Sequence, residues 1–571
     1  MSSKIGVYIC ECGPNIADNI DIDEVIEKIS SSEQYKNQQL IIKRYKLLCS
    51  NEGKEFLEKE INDNELTHLV IAACSPRDHD TTFINICKKT KLNPYLYKMV
   101  NIREQCAWII PDKQKATEKA INYIKSAINR VLHQSKLIEK SLDSNPNVLV
   151  IGGGITGMET ALSLASDKRK VYIIERDSQL GGNVRFFKAL LPQQKTNTDL
   201  IEKKIAAVNK HDNIEIFTES ILEKSVGFFG NFEVTIRNVN DDQKGNELVV
   251  GAIVVATGFS LMPIDKLKKF NYSNKDNVFS ALEIENMIKE KGKILLTSGK
   301  VPKSVGLIHC VGREERGYCS RICCNYMLKI IGYLLEQSGD IKIKDFYKDL
   351  CLPHKNDQEF LDEIKKKKAD FIRYTDISIK GNHITYKDIK GTKKESDVEM
   401  IILAPAMVPA KGTEELAEQL NIPLHETEFF QEAHHQLNPV GTSIEGIYIA
   451  GGCHGPKGIS DSMFQAKAVS GKIVTQLIPG KKLVPEVKVS EILPEFCMGC
   501  KTCMDVCCYG SITYDHDKGI CVVNEAICRG CGNCVGSCPS GAIRAKHFTT
   551  GQIYQEVKEA IIGSVKSFMK K

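Results

Sequence analysis

The sequence predicts an α/β protein with a doubled dinucleotide-binding core, a small α/β domain before it and a cysteine-built module after it. Three observations carry this. A glycine fingerprint at 152–157 joins a short apolar strand to a helix. Strand-like and helix-like segments alternate from 147 to 480, and two runs of four closely spaced cysteines occupy 497–507 and 528–538.

At 571 residues the chain exceeds what one hydrophobic core fills, so about three or four domains are expected. Segment 1–143 opens on the strand-like IGVYIC, has a helix near Asp23–Ser30, a buried strand in HLVIAAC at 68–74 and a long helical pattern over 115–140, which together read as a small α/β domain. The polar linker Ser141–Pro146 ends it. Segment 144–482 alternates strands and helices, with β-rich stretches at 213–256. Segment 483–548 is the cysteine-dense module, and 549–571 is a C-terminal helix with Ile and Val at helical spacing. Hydrophobic residues make up 42% and charged residues 26%, ordinary for a globular protein. The net charge of +5 gives no electrostatic case for nucleic acid, and Lys365–Lys368 reads as a solvated helix face. No apolar run reaches the roughly 18–20 residues that span a bilayer, and MSSKIGVYIC lacks the apolar core of a signal peptide. The 22 cysteines sit in tight runs inside a long leaderless chain, which reads as metal ligation in a reducing, low-potential cytoplasm rather than as a disulfide scaffold.

In NVLVIGGGITGMETALSLA, Gly152, Gly154 and Gly157 take GxGxxG spacing, with Gly153, Ile155 and Thr156 completing the loop. The first glycine permits the tight turn, the second lets the backbone approach a pyrophosphate, and the third lets helix and strand pack closely. Free N–H groups at the helix start face the phosphates. Glu175 closes the strand VYIIE, ahead of Arg176, at about the 20-residue interval where a carboxylate accepts ribose hydroxyls. Three features favour FAD over NAD. Gly181, Gly182 and Asn183 follow Leu180, as in two-dinucleotide-domain flavoproteins. Ala256, Thr257 and Gly258 in AIVVATGFSLMP resemble the strand that returns to an FAD domain. GIYIAGGCHGPKGISDSMFQAKAVSGKIV, holding Gly452, Cys453, Lys457 and Ile459, resembles the closing FAD motif. Cys453 stands where that motif has aspartate, which leaves the ribityl contact to backbone amides of Gly452 and Cys453. The middle segment thus resembles the thioredoxin-reductase flavoprotein fold. Its second half departs from that pattern: Val311-Gly312-Arg313-Glu314-Glu315 replaces a second GxGxxG, and IILAPAMVP lacks the Thr-Gly of a second return strand. No NAD(P) site is therefore expected.

The C-terminal runs Cys497-x2-Cys500-x2-Cys503-x3-Cys507 and Cys528-x2-Cys531-x2-Cys534-x3-Cys538-Pro539 fit a two-cluster ferredoxin module, in which three cysteines of one run and the last of the other hold each cubane. Cys497, Cys500, Cys503 and Cys538 are expected on one 4Fe–4S cluster, and Cys528, Cys531, Cys534 and Cys507 on the other. Zinc would want two C-x2-C pairs. Cys508 replaces the usual proline after the first run, a change expected to move potential more than ligation, and Cys521 reads as a buried strand residue. A third set, Cys310-x8-Cys319-x3-Cys323-Cys324, reads as a further cluster site, with Arg313, Arg316 and Arg321 offsetting its charge, or else as four buried thiols. His434-His435 reads as a helix-end pair.

The CC motif, set inside a thioredoxin-reductase-like flavin domain that is followed by a double ferredoxin, resembles the A subunit of heterodisulfide reductase over nearly the whole chain. YICECGPNI, LLCSNEG, AACSPRDHD and NPYLYKMVNIREQCAW extend the resemblance into the N-terminal domain. It implies that the CC motif carries a 4Fe–4S cluster near the FAD. It implies another cluster in the N-terminal domain, drawn from Cys10, Cys12, Cys49, Cys74 and Cys106, of which one is not a ligand. Spacing alone reads these five equally well as buried residues. The full expectation is one FAD and four clusters. Longer members insert a further ferredoxin module in the flavin domain, whereas here NFEVTIRNVNDDQKGNELVVGAIVVATG runs through with a short loop near 238–246.

The resemblance also implies flavin-based electron bifurcation, in which a two-electron donor's pair is split between ferredoxin and a higher-potential acceptor. Lys457 is the candidate cation beside the flavin, with a surface lysine as the other reading. The implied partners are subunits resembling heterodisulfide reductase B and C, a hydrogenase or dehydrogenase electron-input subunit, and ferredoxin, with room for a homodimer in the complex. The competing reading is an electron-transfer adaptor that splits pairs without bifurcation. A stand-alone NAD(P)H-dependent reductase is disfavoured by the missing second fingerprint.

Overall fold

The computed structural model describes residues 3–188, 198–240, 245–270, 272, 276–367 and 369–568; the tip of the 238–246 loop and Lys368 lie outside them. The chain divides into two compact units. One joins Met1–Ser141 to Val484–Lys571, and the other is Leu142–Leu483.

The first unit begins with β1 (Lys4–Cys10), α1 (Ile22–Ser30), β2 (Gln39–Tyr45), α2 (Asn51–Asp63), β3 (His68–Ala73), α3 (Pro76–Lys89), β4 (Tyr97–Asn101) and α4 (Lys113–Leu132). The strands form a parallel sheet of order β2-β1-β3-β4. Ile5, Val7, Ile9, Val70 and Ala72 face α1 and α4 on one side of it, and Tyr8, Leu69 and Ile71 face α2 and α3 on the other. A doubly covered parallel sheet explains why these strands read as unbroken apolar runs. Strand order reverses between β1 and β3, the switch point at whose carboxyl ends parallel sheets of this kind place their sites. The helix expected over 115–140 stops at Leu132. C-terminal side chains take the carbonyls just beyond it: Gln552 Nε2 donates to His133 O at 2.8 Å, and His547 Nε2 donates to Ser135 O at 2.7 Å.

The second unit opens with β5 (Val148–Ile151), α5 (Ile155–Leu164), β6 (Val171–Ile174), α6 (Thr198–Asn209) and β7 (Ile214–Phe217). The meander β8–β10 (Ser220–Phe228, Asn231–Asn238, Asn246–Val250) leads into β11 (Ala252–Val255), which returns beside β5. After β12 (Phe259–Leu261) the chain builds a second core: β13 (Val278–Ser280), α7 (Ala281–Lys291), β14 (Ser304–Val311), α8 (Arg313–Arg316), α9 (Cys323–Gln337), β15 (Lys342–Tyr347), α10 (Asp357–Lys365), β16 (Ala369–Lys380), β17 (His383–Asp388), β18 (Lys393–Asp397) and β19 (Met400–Pro405). β20 (Met407–Pro409) pairs with β12, and α11 (Thr413–Leu420), β21 (Ile447–Ile449) and α12 (Ile459–Gln476) close the first core. The sheet orders are β21-β11-β5-β6-β7 and β13-β19-β14-β15-β16-β17-β18. This is the α/β core with two dinucleotide-type domains that the sequence predicts. His434-His435 lies in a turn rather than at a helix end: His434 Nδ1 accepts from the Gln436 and Leu437 amides, and the two rings stack.

The remaining part of the first unit is β22 (Ser490–Ile492), α13 (Thr502–Asp505), β23 (Ile512–Asp515), β24 (Ile520–Val523), α14 (Asn533–Ser537), β25 (Ile543–Ala545) and α15 (Thr550–Phe568), with β22 paired to β25 and β23 to β24. No helix among the described residues is long and apolar enough to cross a membrane.

Candidate functional site

The glycine loop shows why each glycine is needed. Gly152 has φ +111°, and a Cβ there would lie 2.4 Å from Ala256 O. A Cβ on Gly157 would lie 1.9 Å from Gly152 O, so α5 closes on β5 only without one. Gly154 meets nothing within 4 Å and opens on a cavity of about 990 Å³. That volume lies at the upper end of the roughly 300–1,000 Å³ typical of cofactor pockets.

The cavity wall includes Gly152, Gly154, Ile155, Thr156, Glu175, Arg176, Gly181, Gly182, Asn183, Ala256, Thr257, Gly258, Gly452, Lys457 and Ile459, bringing together nearly all the residues the sequence singles out for FAD. Gly153 sits behind the wall, where its N–H donates to Glu175 Oε2 at 2.7 Å. Glu175 Oε1 accepts from Asp177 N–H at 2.9 Å, so the carboxylate is anchored at the rim. Thr257 Oγ1 and Asn325 Oδ1 are buried, line the cavity and have no hydrogen-bond partner, as expected of atoms that await a polar ligand. The described residues thus fit a bound dinucleotide. At Cys453 the side chain is withdrawn from the wall. Its side chain turns into the core, with Sγ 3.2 Å from Val255 O and 3.1 Å from Ala450 O, and it contributes nothing to the cavity wall.

Lys457 is half-buried rather than a surface lysine. Its Nζ donates to Gly451 O at 2.8 Å and Gly455 O at 3.0 Å, and burial pulls its pKa down to about 8. Sequence reasoning missed a second lysine in the wall, Lys329 on α9. It is paired with the buried Glu285 of α7 and ringed by Tyr326 (4.8 Å), Phe187 (5.1 Å) and Tyr333 (5.8 Å). Burial lowers its pKa and Glu285 opposes that shift.

The CC motif begins the same helix. Ile322, Asn325, Tyr326 and Lys329 line the cavity, while Cys323 and Cys324 on the first turn of α9 join Cys310 and Cys319. Burial, then Cys324, Cys310 and Cys319, push the Cys323 thiol well up. Cys310 is held at φ +60°, a strained setting for a non-glycine residue. Arg313 approaches its Sγ at 4.0 Å, whereas Arg316 pairs with Glu428 at 2.8 Å. Two neighbours were not legible from the sequence. The Cys351 amide donates to Cys324 Sγ at 3.3 Å, and the fully buried His309 Nε2 pairs with Asp345 Oδ1 at 2.7 Å. Asp345 holds His309 up at about 10 against the downward pull of burial.

In the N-terminal domain the cysteines gather at the sheet's switch point. Cys10 ends β1, Cys12 follows it, Cys49 precedes α2, and Cys74 directly follows β3. Burial pushes Cys10 and Cys74 each up to about 11; Cys12 and Cys49 face the former, and Cys10 and Cys49 the latter. Arg103 Nη1 reaches Cys12 Sγ at 3.9 Å. Cys106 stands apart, fully buried across the sheet among Ile9, Ile102 and the α4 residues, with Lys119 as its charged neighbour.

In the C-terminal module Cys503, Cys521 and Cys534 are buried together against Ile512 and Ile543. Burial raises Cys534, with Cys528, Cys507 and Cys531 close by, while Cys538 is a neighbour of Cys500. Cys497 packs on the same core. Cys521 is the buried strand residue the sequence suggests, and it also faces Cys503, which is pushed up to about 12 by burial and then by Cys521. Among the described residues no three metal-binding side chains close on one point as around a single ion. A cubane spreads its thiolates over separate corners, so thiols that share a neighbourhood without meeting at one point suit it.

Residues 129–312 match the family model described as pyridine nucleotide-disulphide oxidoreductase. The chain is 31% identical to the second iron–sulfur A subunit of CoB--CoM heterodisulfide reductase from Methanopyrus kandleri, with 98% of each chain covered. It is likewise 31% identical to the A subunit of H(2):CoB-CoM heterodisulfide,ferredoxin reductase from Methanothermobacter thermautotrophicus, covering 98% of this chain and 97% of that one. The first alignment runs over 650 positions, so at least 79 of them (650 − 571) face gaps in this chain. Among solved structures, Lactococcus lactis thioredoxin reductase aligns with 58% of this chain and 99% of its own, at 15% identity and a TM-score of 0.42. The chain belongs to the heterodisulfide reductase A-subunit family of iron–sulfur flavin oxidoreductases.

Proposed function

We propose that this chain is the FAD- and cluster-bearing electron-relay subunit of a heterodisulfide-reductase-like complex, and that its flavin bifurcates. The observation that carries this is α9. Its first turn supplies Cys323 and Cys324 to the CC quartet, and the same turn supplies Asn325 and Tyr326 to the cavity. Bound FAD would supply the exchange between electron pairs and single electrons, and 4Fe–4S clusters would carry the single electrons away. The residues present hold and tune. The 152–157 loop and Thr257 bind the dinucleotide, and Lys457 places positive charge in the wall, favouring a reduced, anionic ring, while Glu285 balances the charge of Lys329. The three cysteine groupings and the CC quartet account for four clusters, with Cys106 as the non-ligand among the N-terminal five.

A nicotinamide site in this chain is disfavoured by the turn after β14. Met262 Sδ lies 2.4 Å from where a Cβ on Gly312 would project, filling the approach a pyrophosphate would use. Electrons would then enter from partner subunits such as a hydrogenase or dehydrogenase, with B- and C-like subunits and ferredoxin as outlets. The test is a redox titration of the purified complex. Bifurcation requires the flavin's second one-electron potential to lie above its first. The opposite order, with a wide gap, leaves only the non-bifurcating adaptor. Rapid reduction of the isolated chain by NADH would refute the missing nicotinamide site.

A further inference from the structure

We propose that the first unit holds a second small-molecule site, selective for a small oxyanion that carries a hydroxyl group. The site is a cavity of about 260 Å³, walled by Tyr97, Arg130 and Gln134 from the N-terminal segment and by Lys488, His547 and Phe548 from the C-terminal segment. A single water takes about 30 Å³ in the liquid, so the space far exceeds one trapped solvent molecule.

Its polar lining is built but incomplete. Arg130, only 3% exposed, uses its guanidinium ends on His547 O and Glu556, yet its Nε has no acceptor. His547, also 3% exposed, donates through Nε2 to Ser135 O at 2.7 Å, so that nitrogen carries the proton. Burial lowers the His547 pKa, leaving the ring neutral with an Nδ1 lone pair that nothing engages. Gln134 Oε1 is buried without a donor as well. His547 is held at φ +66°, which swings the ring over the cavity at the cost of backbone strain.

The electrostatics select the ligand's sign. Glu556 neutralises Lys98 and faces Arg130. The Lys488 ammonium rests on the Tyr95 ring at 5.8 Å, and no carboxylate pairs with it among the described residues. Of the charged side chains in the wall, Arg130, Lys98 and Lys488 are cations and Asp80 is the anion, with Glu556 against the first two and Glu486 near Tyr95, both outside the wall. An oxyanion would take the Arg130 Nε–H and the Lys488 ammonium, and its hydroxyl would donate to His547 Nδ1 or Gln134 Oε1. Hydrogen phosphate and a 2-hydroxycarboxylate both present this pattern. Because the walls come from both ends of the chain, such a ligand would bind the two segments to each other.

Calorimetric titration of the cofactor-loaded full chain with sodium phosphate, glycolate, acetate and chloride tests the site. Saturable one-to-one binding of phosphate or glycolate is expected, at least tenfold tighter than acetate, with no saturable response to chloride. The tighter of the first two names the source. Gln134→Glu, which places a like charge beside the anion, and Lys488→Met, which removes a cation from the wall, should each weaken binding at least tenfold. Equal responses to all four salts would mean that the cavity holds water alone and would overturn the proposal. So would binding that both variants leave unchanged. Acetate binding as tightly as glycolate would overturn the hydroxyl requirement.

Discussion

Gly154 and Gly157 differ by three positions but do separable work. Gly154 has extended backbone (φ −73°, ψ −177°) that any residue adopts, and its missing side chain leaves room only on the cavity side. Gly154→Val should therefore fold with an unchanged melting temperature and bind FAD at least tenfold more weakly, read as flavin absorbance per protein after gel filtration. Gly157→Ala forces a Cβ against Gly152 O, and overpacking of this kind costs about 1–3 kcal/mol, so flavin content and melting temperature should fall together. Lys457 gives a pH signature. Its folded pKa, about 8, lies below its ordinary value of 10.5, so between those values the unfolded chain binds the extra proton and stability rises with pH. The gain is at most about 3 kcal/mol, and less for a half-buried side chain that keeps some hydration. In the flavin-free chain, Lys457→Met should flatten the rise in denaturant midpoint between pH 8 and 10.5. An unchanged slope would place the titrating group elsewhere.

At the scale of elements, the sheet order β2-β1-β3-β4 sorts the N-terminal cysteines. Cys10 and Cys74 leave the carboxyl ends of the two strands that flank the switch point, while Cys106 faces the opposite layer. Cys10→Ser or Cys74→Ser should cost about four iron atoms per chain, the content of one cubane, and Cys106→Ser should cost none. Iron assay with electron paramagnetic resonance of the dithionite-reduced protein would check this, and iron loss from the Cys106 variant would refute it. This sorting was not legible in the sequence, because whether a thiol lies above or below a parallel sheet depends on strand order. The same holds for Lys329 with Glu285 and for His309 with Asp345, 36 residues apart. The glycine loop and the doubled C-terminal cysteine runs were legible because their geometry is set within a few residues. His434-His435 was misread for the opposite reason: the pair suggested a helix end, but the local backbone bends it into a turn.

Over the whole molecule, the chain's two ends belong to one compact unit while its middle forms another. The ends are joined by α4 and α15. Ser126 Oγ bonds to Glu556 O, Arg130 Nη1 meets Glu556 at 3.1 Å, and Lys140 reaches Glu525 at 2.7 Å. Arg130 is nearly fully buried while Glu556 is a third exposed, so removing Glu556 would leave a desolvated charge held only by His547 O, a loss below the about 3–5 kcal/mol of fully buried pairs. By contrast, the chain crosses between units at residues 141–142 and 483–484, where Lys140, Lys481 and Lys482 are exposed. Exposed lysines are open to trypsin, although Leu142 and Leu483 bond backbone to backbone beside them. Brief trypsin treatment that cuts after Lys140 and Lys482 should therefore leave fragments 1–140 and 483–571 eluting together from a native sizing column. Glu556→Gln should make those two fragments separate. Elution of the fragments apart in the unsubstituted protein would show that the covalent path, not the α4–α15 contact, holds the ends together.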